Sequence, residues 1–349
     1  LVSLFLIQLG GIGYMTFGSF VVLLRKTELS ETQISVNKTV FSLPESFDLK
    51  QFLKSVIAFT LIIESIGAIC LFFIFRSAQV PNPLWKGLFH SISAFCTAGF
   101  SLFNNSIENF SNNFWLNLVI SVLCYIGAIG FIVCLDFWNM LTGKIKAITL
   151  TSKIILVTTV WLGVTAAVLM FLEESTIQQL PVDERIIAAF FQAMNAMTTA
   201  GFNSIPIGSL SKASILLIII LMVIGASPSG TGGGLKSTTL SAFIGIIRSA
   251  TRGDEAVSFW NRPVPHSRIM TAVASAGFYV ITLIIGTYLL ELTETTTFDQ
   301  NLFEAASAIG TVGLSMGITS GLTVIGKIII IGLMFLGRLG PLTFGIALL

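Results

Sequence analysis

Phe191-Gln192-Ala193-Met194-Asn195-Ala196-Met197-Thr198-Thr199-Ala200-Gly201-Phe202 decides the fold, because the chain writes its skeleton three times. The other copies are Phe89…Ala94…Thr97-Ala98-Gly99-Phe100 and Phe303…Ala308…Thr311-Val312-Gly313-Leu314. In each, Phe stands ten residues before the Gly, Ala five before and Thr two before. The glycines lie 102 and 112 residues apart. Each copy sits between apolar runs long enough to cross a bilayer. One Thr-Ala-Gly reads as an ordinary loop; three at fixed offsets, each between spans, read as an internal repeat.

Composition agrees. Of 349 residues, 54% are hydrophobic and 10% charged, with a mean hydropathy of +0.90. A soluble domain carries about 25% charged residues. The shortfall, with the long apolar runs, means an all-α polytopic membrane protein. The net charge of +2 is no nucleic-acid footprint, and no nucleic-acid partner is expected. Cys70, Cys96, Cys124 and Cys134 show no metal or redox spacing and read as buried thiols. Two histidines, His90 and His266, are too few for a metal site.

Spanning helices are expected over 1–24, 52–75, 114–141, 154–172, 213–247, 269–292 and 322–349. Segments 84–97, 184–199 and 300–311 are too short or too polar to span, and fit re-entrant helices leading into each Thr-x-Gly. Basic residues crowd 25–54, 139–153 and 247–268, while Glu108, Glu173, Glu174, Asp183, Glu291 and Asp299 mark the other side. The positive-inside rule makes the basic segments cytoplasmic and the repeated loops external, in a plasma (cell inner) membrane. The basic loops suit an acidic partner or anionic lipid, and simple solvation explains them equally well.

A second repeat follows the first: Leu9-Gly10-Gly11-Ile12-Gly13, Ile126-Gly127-Ala128-Ile129-Gly130, Ile224-Gly225-Ala226-Ser227-Pro228 and Leu336-Gly337-Arg338-Leu339-Gly340. There are four such patterns to three Thr-x-Gly copies, so a fourth copy is expected upstream of Leu1. The plan is helix, re-entrant loop, helix, four times about a pseudo-four-fold axis, the first unit incomplete. Its units are 1–50 (second helix of repeat 1 and linker), 51–150 (repeat 2), 151–262 (repeat 3) and 263–349 (repeat 4).

A dehydrated monovalent cation needs several oxygens in place of its water, and extended backbone can supply them. The carbonyls of Thr97, Ala98, Gly99, Thr199, Ala200, Gly201, Thr311, Val312 and Gly313 are the expected ion ligands. Phe89, Phe191 and Phe303 are expected to pack the short helices. Residues 225–236, Gly225-Ala226-Ser227-Pro228-Ser229-Gly230-Thr231-Gly232-Gly233-Gly234-Leu235-Lys236, break an otherwise apolar span. They read as an intramembrane gating loop, or else a structural kink. No Walker loop is present, since Leu235 precedes Lys236, and no nucleophile elbow surrounds Ser227 or Ser229. Arg338, mid-span, is expected to bind this loop beneath the ion path, a snorkelling arginine being the alternative. Glu64, also mid-span, is expected to pair with a polar neighbour and carries no assigned transport role.

With these residues assembled, the chain resembles the Trk/Ktr/HKT potassium-transporter superfamily, and is most similar to the Ktr membrane subunit (KtrB type). The likeness covers nearly the whole chain, including Gly337-Arg338-Leu339-Gly340-Pro341 and Asn261-Arg262-Pro263-Val264-Pro265. It implies M1-P-M2 repeats like those of potassium channels, and potassium (K+) uptake, activated in some members by sodium (Na+). It also implies a homodimer on cytosolic nucleotide-binding regulatory subunits (KtrA/TrkA-like). In that family the first repeat's glycine position bears on potassium versus sodium preference. The rival reading is a sodium-coupled or sodium-permeable secondary cation transporter, against which the repeats, all of one orientation, argue. An enzyme finds no nucleophile, base or metal set here.

Overall fold

The computed structural model describes residues 2–12, 49–254 and 256–348. Twelve helices cover most of them: α1 (Val2–Ile12), α2 (Leu49–Ser77), α3 (Pro83–Phe95), α4 (Phe114–Ile129), α5 (Phe131–Leu141), α6 (Leu150–Glu173), α7 (Val182–Met197), α8 (Lys212–Val223), α9 (Ser237–Arg252), α10 (His266–Thr293), α11 (Phe298–Ile309) and α12 (Val324–Leu348). The expected span over 1–24 and linker 25–54 fall largely outside the described residues.

Local chemistry sets the helix starts. Pro83, which has no N–H to leave unpaired, opens α3. Asn113, Thr149 and Ser211 cap α4, α6 and α8 through side-chain oxygens that accept from Leu116, Ser152 and Ser214 N–H. Thr297 and Gln300 form a capping box at α11. Thus the short helices α3 and α11 enter from polar turns, while α7 follows Pro181 without a side-chain cap.

Three times a long helix, a short helix, a Thr-x-Gly segment and a further apolar helix follow one another: α2, α3 and α4; α6, α7 and α8; α10, α11 and α12. Phe89, Phe191 and Phe303 are buried, Phe191 and Phe303 fully so at 0% exposure. Leu61, Ile62, Ile66, Ile69 and Phe73 on α2 are exposed, as are Val157, Val160, Trp161, Val164 and Val168 on α6. So are Ile281, Ile284, Ile285, Tyr288 and Leu292 on α10. Continuous apolar helix faces of this kind suit lipid rather than water. Among the described residues three helices, in Lys54–Ser77, Leu150–Glu173 and His266–Thr293, are long and apolar enough to cross a membrane, and four if the bent pair α4/α5 counts as one span.

The structure corrects one expected span. Residues 114–141 are not a single helix: α4 and α5 meet at Gly130 with a bend of 96°. Gly130 has φ +88°, and a Cβ there would strike the Pro228 carbonyl. The helix turns because another segment of the chain docks where a straight helix would pass. The stretch before α10 forms a small hairpin, Ser258–Phe259 paired with Arg262–Pro263 around Trp260 and Asn261, both at positive φ.

Candidate functional site

The three Thr-x-Gly segments share one backbone conformation. Thr97, Thr199 and Thr311 have φ of 49°, 56° and 50°, and Gly99, Gly201 and Gly313 have φ of 68°, 85° and 93°. Each short helix ends in the same pair of bonds. Thr97 N–H reaches the Ala94 carbonyl at 3.0 Å and Ala98 N–H that of Ser93 at 2.8 Å. Thr199 and Ala200 repeat this to Ala196 (3.2 Å) and Asn195 (3.0 Å), and Thr311 and Val312 to Ala308 (3.0 Å) and Ser307 (2.9 Å). This is a Schellman termination, whose left-handed residue is usually glycine. A β-branched residue there costs roughly 1–3 kcal/mol and persists only where the surroundings over-determine it.

The segments lie edge to edge. A Cβ on Gly99 would strike the Ala200 carbonyl, and one on Gly201 the Val312 carbonyl. Glycine is required twice over at these positions, by the positive φ and by the neighbouring backbone. Residues 99, 200–201 and 312–313 therefore stand side by side in chain order.

Loop 224–236 passes directly against the threonines. Thr231 Oγ1 lies 3.2 Å from Thr97 Oγ1 and donates to the Phe95 carbonyl at 3.0 Å. Gly233 N–H donates to Thr199 Oγ1 at 2.8 Å. A Cβ on Gly233 would collide with Thr311 Oγ1 and the Gly310 carbonyl. One short loop thus meets all three copies, which explains its glycines: side chains would not fit.

The same loop accounts for the bend at Gly130. Ser227 N–H and Oγ donate to the Ala128 carbonyl at 3.1 and 2.9 Å, and Thr231 N–H to that of Gly127 at 3.0 Å. Phe131 N–H donates to the Ser229 carbonyl at 3.2 Å and Ile132 N–H to Ser229 Oγ at 3.3 Å. The broken end of α4 and the start of α5 leave orphan backbone groups, and the loop satisfies several of them. Ser229 sits at φ 61°. Within the loop, Ala226 N–H bonds the Gly233 carbonyl at 3.0 Å and Lys236 Nζ the Gly232 carbonyl at 3.0 Å, so that it folds back on itself.

A model of the TrkH family, described as cation transport protein, matches residues 1–348. The chain belongs to the TrkH family. Its relatives include Ktr system potassium uptake protein B of Bacillus subtilis (strain 168), 34% identical over 348 residues, covering 97% of this chain and 77% of that protein. Potassium/sodium uptake protein NtpJ of Enterococcus hirae is 32% identical over 352 residues, covering 99% and 77%. The crystal structure of the potassium transporter TrkH from Vibrio parahaemolyticus has the same fold, with TM-score 0.75 and 18% identity over 99% of this chain and 71% of that one. As a TrkH-family member the chain is a membrane transporter rather than an enzyme.

Other residues of this TrkH-family chain join the cluster. Arg338 Nη1 donates to the Thr231 carbonyl at 3.2 Å, and Nη2 to the Gly10 carbonyl. One side chain therefore links α12, the loop and α1. Glu64 accepts from Gln8 Nε2 at 3.1 Å and lies 3.7 Å from the Cys96 thiol, immediately before Thr97. Gly127 and Gly337 occupy matching places: a Cβ on either would strike the carbonyl of Phe95 or Ile309, each four residues before its segment's glycine. Sequence reasoning missed the docking of Gly130 beneath Pro228, although Gly130 stands in the same repeat pattern that breaks openly at Pro228.

Proposed function

We propose that this chain takes up potassium through a channel-like pore, its filter formed by the backbone carbonyls of Thr97, Ala98, Gly99, Thr199, Ala200, Gly201, Thr311, Val312 and Gly313. One observation carries the reading: three segments that share one backbone conformation lie edge to edge, with one polar loop pressed against all of them. The segments offer backbone oxygens without a crowding side chain, which suits a monovalent cation exchanging its hydration shell. The relatives named for potassium uptake support that choice of ion.

The repeats are M1-P-M2 units about a pseudo-four-fold axis, with units 51–150, 151–262 and 263–349 and the helix of 1–50 belonging to the remaining one. The matched contacts of Gly127 and Gly337 support the equivalence. Residues 225–236 are the gate. Ser227, Ser229, Thr231 and Lys236 hold it closed through the bonds described above, Gly230, Gly232, Gly233 and Gly234 let it pass beneath the threonines, and Arg338 latches it. The filter loops face outside and the basic linkers the cytoplasm. The chain works as a homodimer with cytosolic nucleotide-binding regulatory subunits, and sodium acts as activator. Relatives named as parts of a Ktr system support a separate regulatory subunit, and one named for both ions is consistent with a role for sodium.

The test is rubidium uptake in potassium-uptake-deficient cells. Gly313→Ser, at the filter glycine with open space around it, should abolish potassium preference over sodium while the amount of protein in the membrane is unchanged. Unaltered preference would overturn the filter reading. In proteoliposomes uptake should follow the potassium gradient without a fixed sodium ratio; a fixed ratio would instead favour a coupled transporter.

A further inference from the structure

Nine positions before each filter glycine stands a buried polar residue: His90, Gln192 and Glu304, at 0%, 0% and 4% exposure. Two positions after each glycine stands a polar partner: Ser101, Asn203 and Ser315. A polar group at membrane depth is costly unless it is hydrogen-bonded, so its partner is informative.

In the last copy the two positions meet. Glu304 Oε1 accepts from Ser315 Oγ at 2.5 Å and from Met316 N–H at 3.0 Å, and Oε2 accepts from Thr319 Oγ1 at 2.8 Å. In the first copy His90 Nδ1 lies 2.8 Å from the Lys86 carbonyl, which can only accept, so the proton is on Nδ1. Nε2 then accepts from Leu102 N–H at 3.4 Å and shares the single Ser101 hydroxyl proton with the Ser106 carbonyl, each oxygen-to-partner distance being 3.0 Å. Phe75, Phe103 and Phe202 surround the ring, with centroids 5.5, 5.2 and 6.3 Å away, and fix its orientation.

The middle copy anchors the position after its glycine differently. Neither amide atom of Gln192 has a hydrogen-bond partner among the described residues. Asn203 instead donates to Glu108 Oε1 at 2.6 Å, and its N–H to Ser106 Oγ at 3.2 Å. Ile107 N–H returns a bond to the Asn203 carbonyl at 3.3 Å. Here the outer turn of the preceding copy holds the position two past the glycine. In all three copies, therefore, that position is anchored by a group outside the filter segment.

We propose that His90, Glu108 and Glu304 are positioning residues for selectivity: by holding Ser101, Asn203 and Ser315 they fix where the chain leaves each filter glycine, and so the spacing of the carbonyls that choose potassium over sodium. They touch no ion. This rests on the filter reading above. A carbonyl ring distinguishes two alkali ions by the number and position of its oxygens, so a relaxed outer end admits the smaller ion. The braces on carboxylates are the strongest, since bonds to a charged acceptor outweigh neutral ones.

The experiment uses the full-length protein in potassium-uptake-deficient cells, reading rubidium uptake against competing sodium, with membrane amount measured in parallel. Glu304→Gln, Ser315→Ala and Glu108→Gln should each weaken potassium preference, by about tenfold for loss of one charge-assisted hydrogen bond. The double variant Glu304→Gln/Ser315→Ala should add little to either single change. A merely structural role would lower uptake with the amount of protein and leave the ion preference alone. Should Glu304→Gln fail to fold, Ser315→Ala and Thr319→Ala carry the same test from the other side of the bond. Gly313→Ser is the control for the filter itself. If it shifts ion preference and the brace variants do not, the braces alone are overturned; if neither shifts it, the filter reading falls and the braces with it.

Discussion

Arg338 Nη1 donates to the carbonyl of Thr231 at 3.2 Å, across 107 residues of sequence. The same guanidinium reaches the Gly10 carbonyl, so the loop beneath the Thr-x-Gly segments is tied to two helices from opposite ends of the chain. A charge at this depth is retained only with partners, and here the partners are two backbone carbonyls.

Releasing that latch should open the path. Arg338→Ala is expected to raise rubidium flux, and Arg338→Lys, a point ammonium without the planar fork whose two nitrogens reach separate carbonyls, should fall between it and the wild type. Wild-type flux from Arg338→Ala at normal membrane abundance would sink the gating role.

Thr199 offers a sharper cut, because its hydroxyl oxygen accepts from Gly233 N–H at 2.8 Å. Thr199→Val keeps the shape and leaves that N–H unpaired, at a cost of about 1–3 kcal/mol to the docked loop. Basal flux should rise, while Thr199→Ser should retain the bond and the wild-type rate. Equal rates in the two variants would show that the bond does not hold the loop.

Gly130→Ala faces two obstacles at once, a positive φ and the Pro228 carbonyl. The backbone term alone is on the order of 1–3 kcal/mol. The melting temperature in detergent should drop, and a helical glycine with open space around it, Gly277, should accept Ala without loss. Equal melting temperatures for the two variants would mean that the 96° bend does not depend on the loop.

Glu174, just past α6, gives a pH-dependent prediction. Burial pushes its carboxyl up, but bonds from Thr176 N–H and Oγ1, both 2.9 Å, and Ser211 N–H, 3.0 Å, outweigh this and hold it below its ordinary value of 4.5. A carboxyl lowered in the folded state stabilises when ionised, so its contribution is complete above 4.5 and is lost as pH falls through the lowered value. The wild type should lose melting temperature over that acid range. Glu174→Gln should start lower at neutral pH and lose less on acidification; parallel curves would remove Glu174 from the account.

Much of this was legible in the sequence. The offsets among Phe191, Thr199 and Gly201 located the short helices and the segments after them to within a few residues. Pro228 and the glycines after it marked the interrupted helix. The bend at Gly130 was not legible, because 114–141 is apolar enough to read as one span and the carbonyl that forces the turn belongs to Pro228, far along the chain. Nor were the partners of His90, Glu108 and Glu304, which depend on how loops separated by many residues come together.

The sequence by itself determined the class of protein, the number of visible repeats and the positions where backbone rather than side chain must do the work. These follow from hydropathy and from the few residues that tolerate positive φ, both properties of the chain at each point. Only the tertiary structure decided that one loop lies under three segments, that Arg338 ties it to α1, and that Gly130 bends to admit it. Those relations come from excluded volume and unpaired backbone groups between distant segments. Such terms have no value until the segments meet.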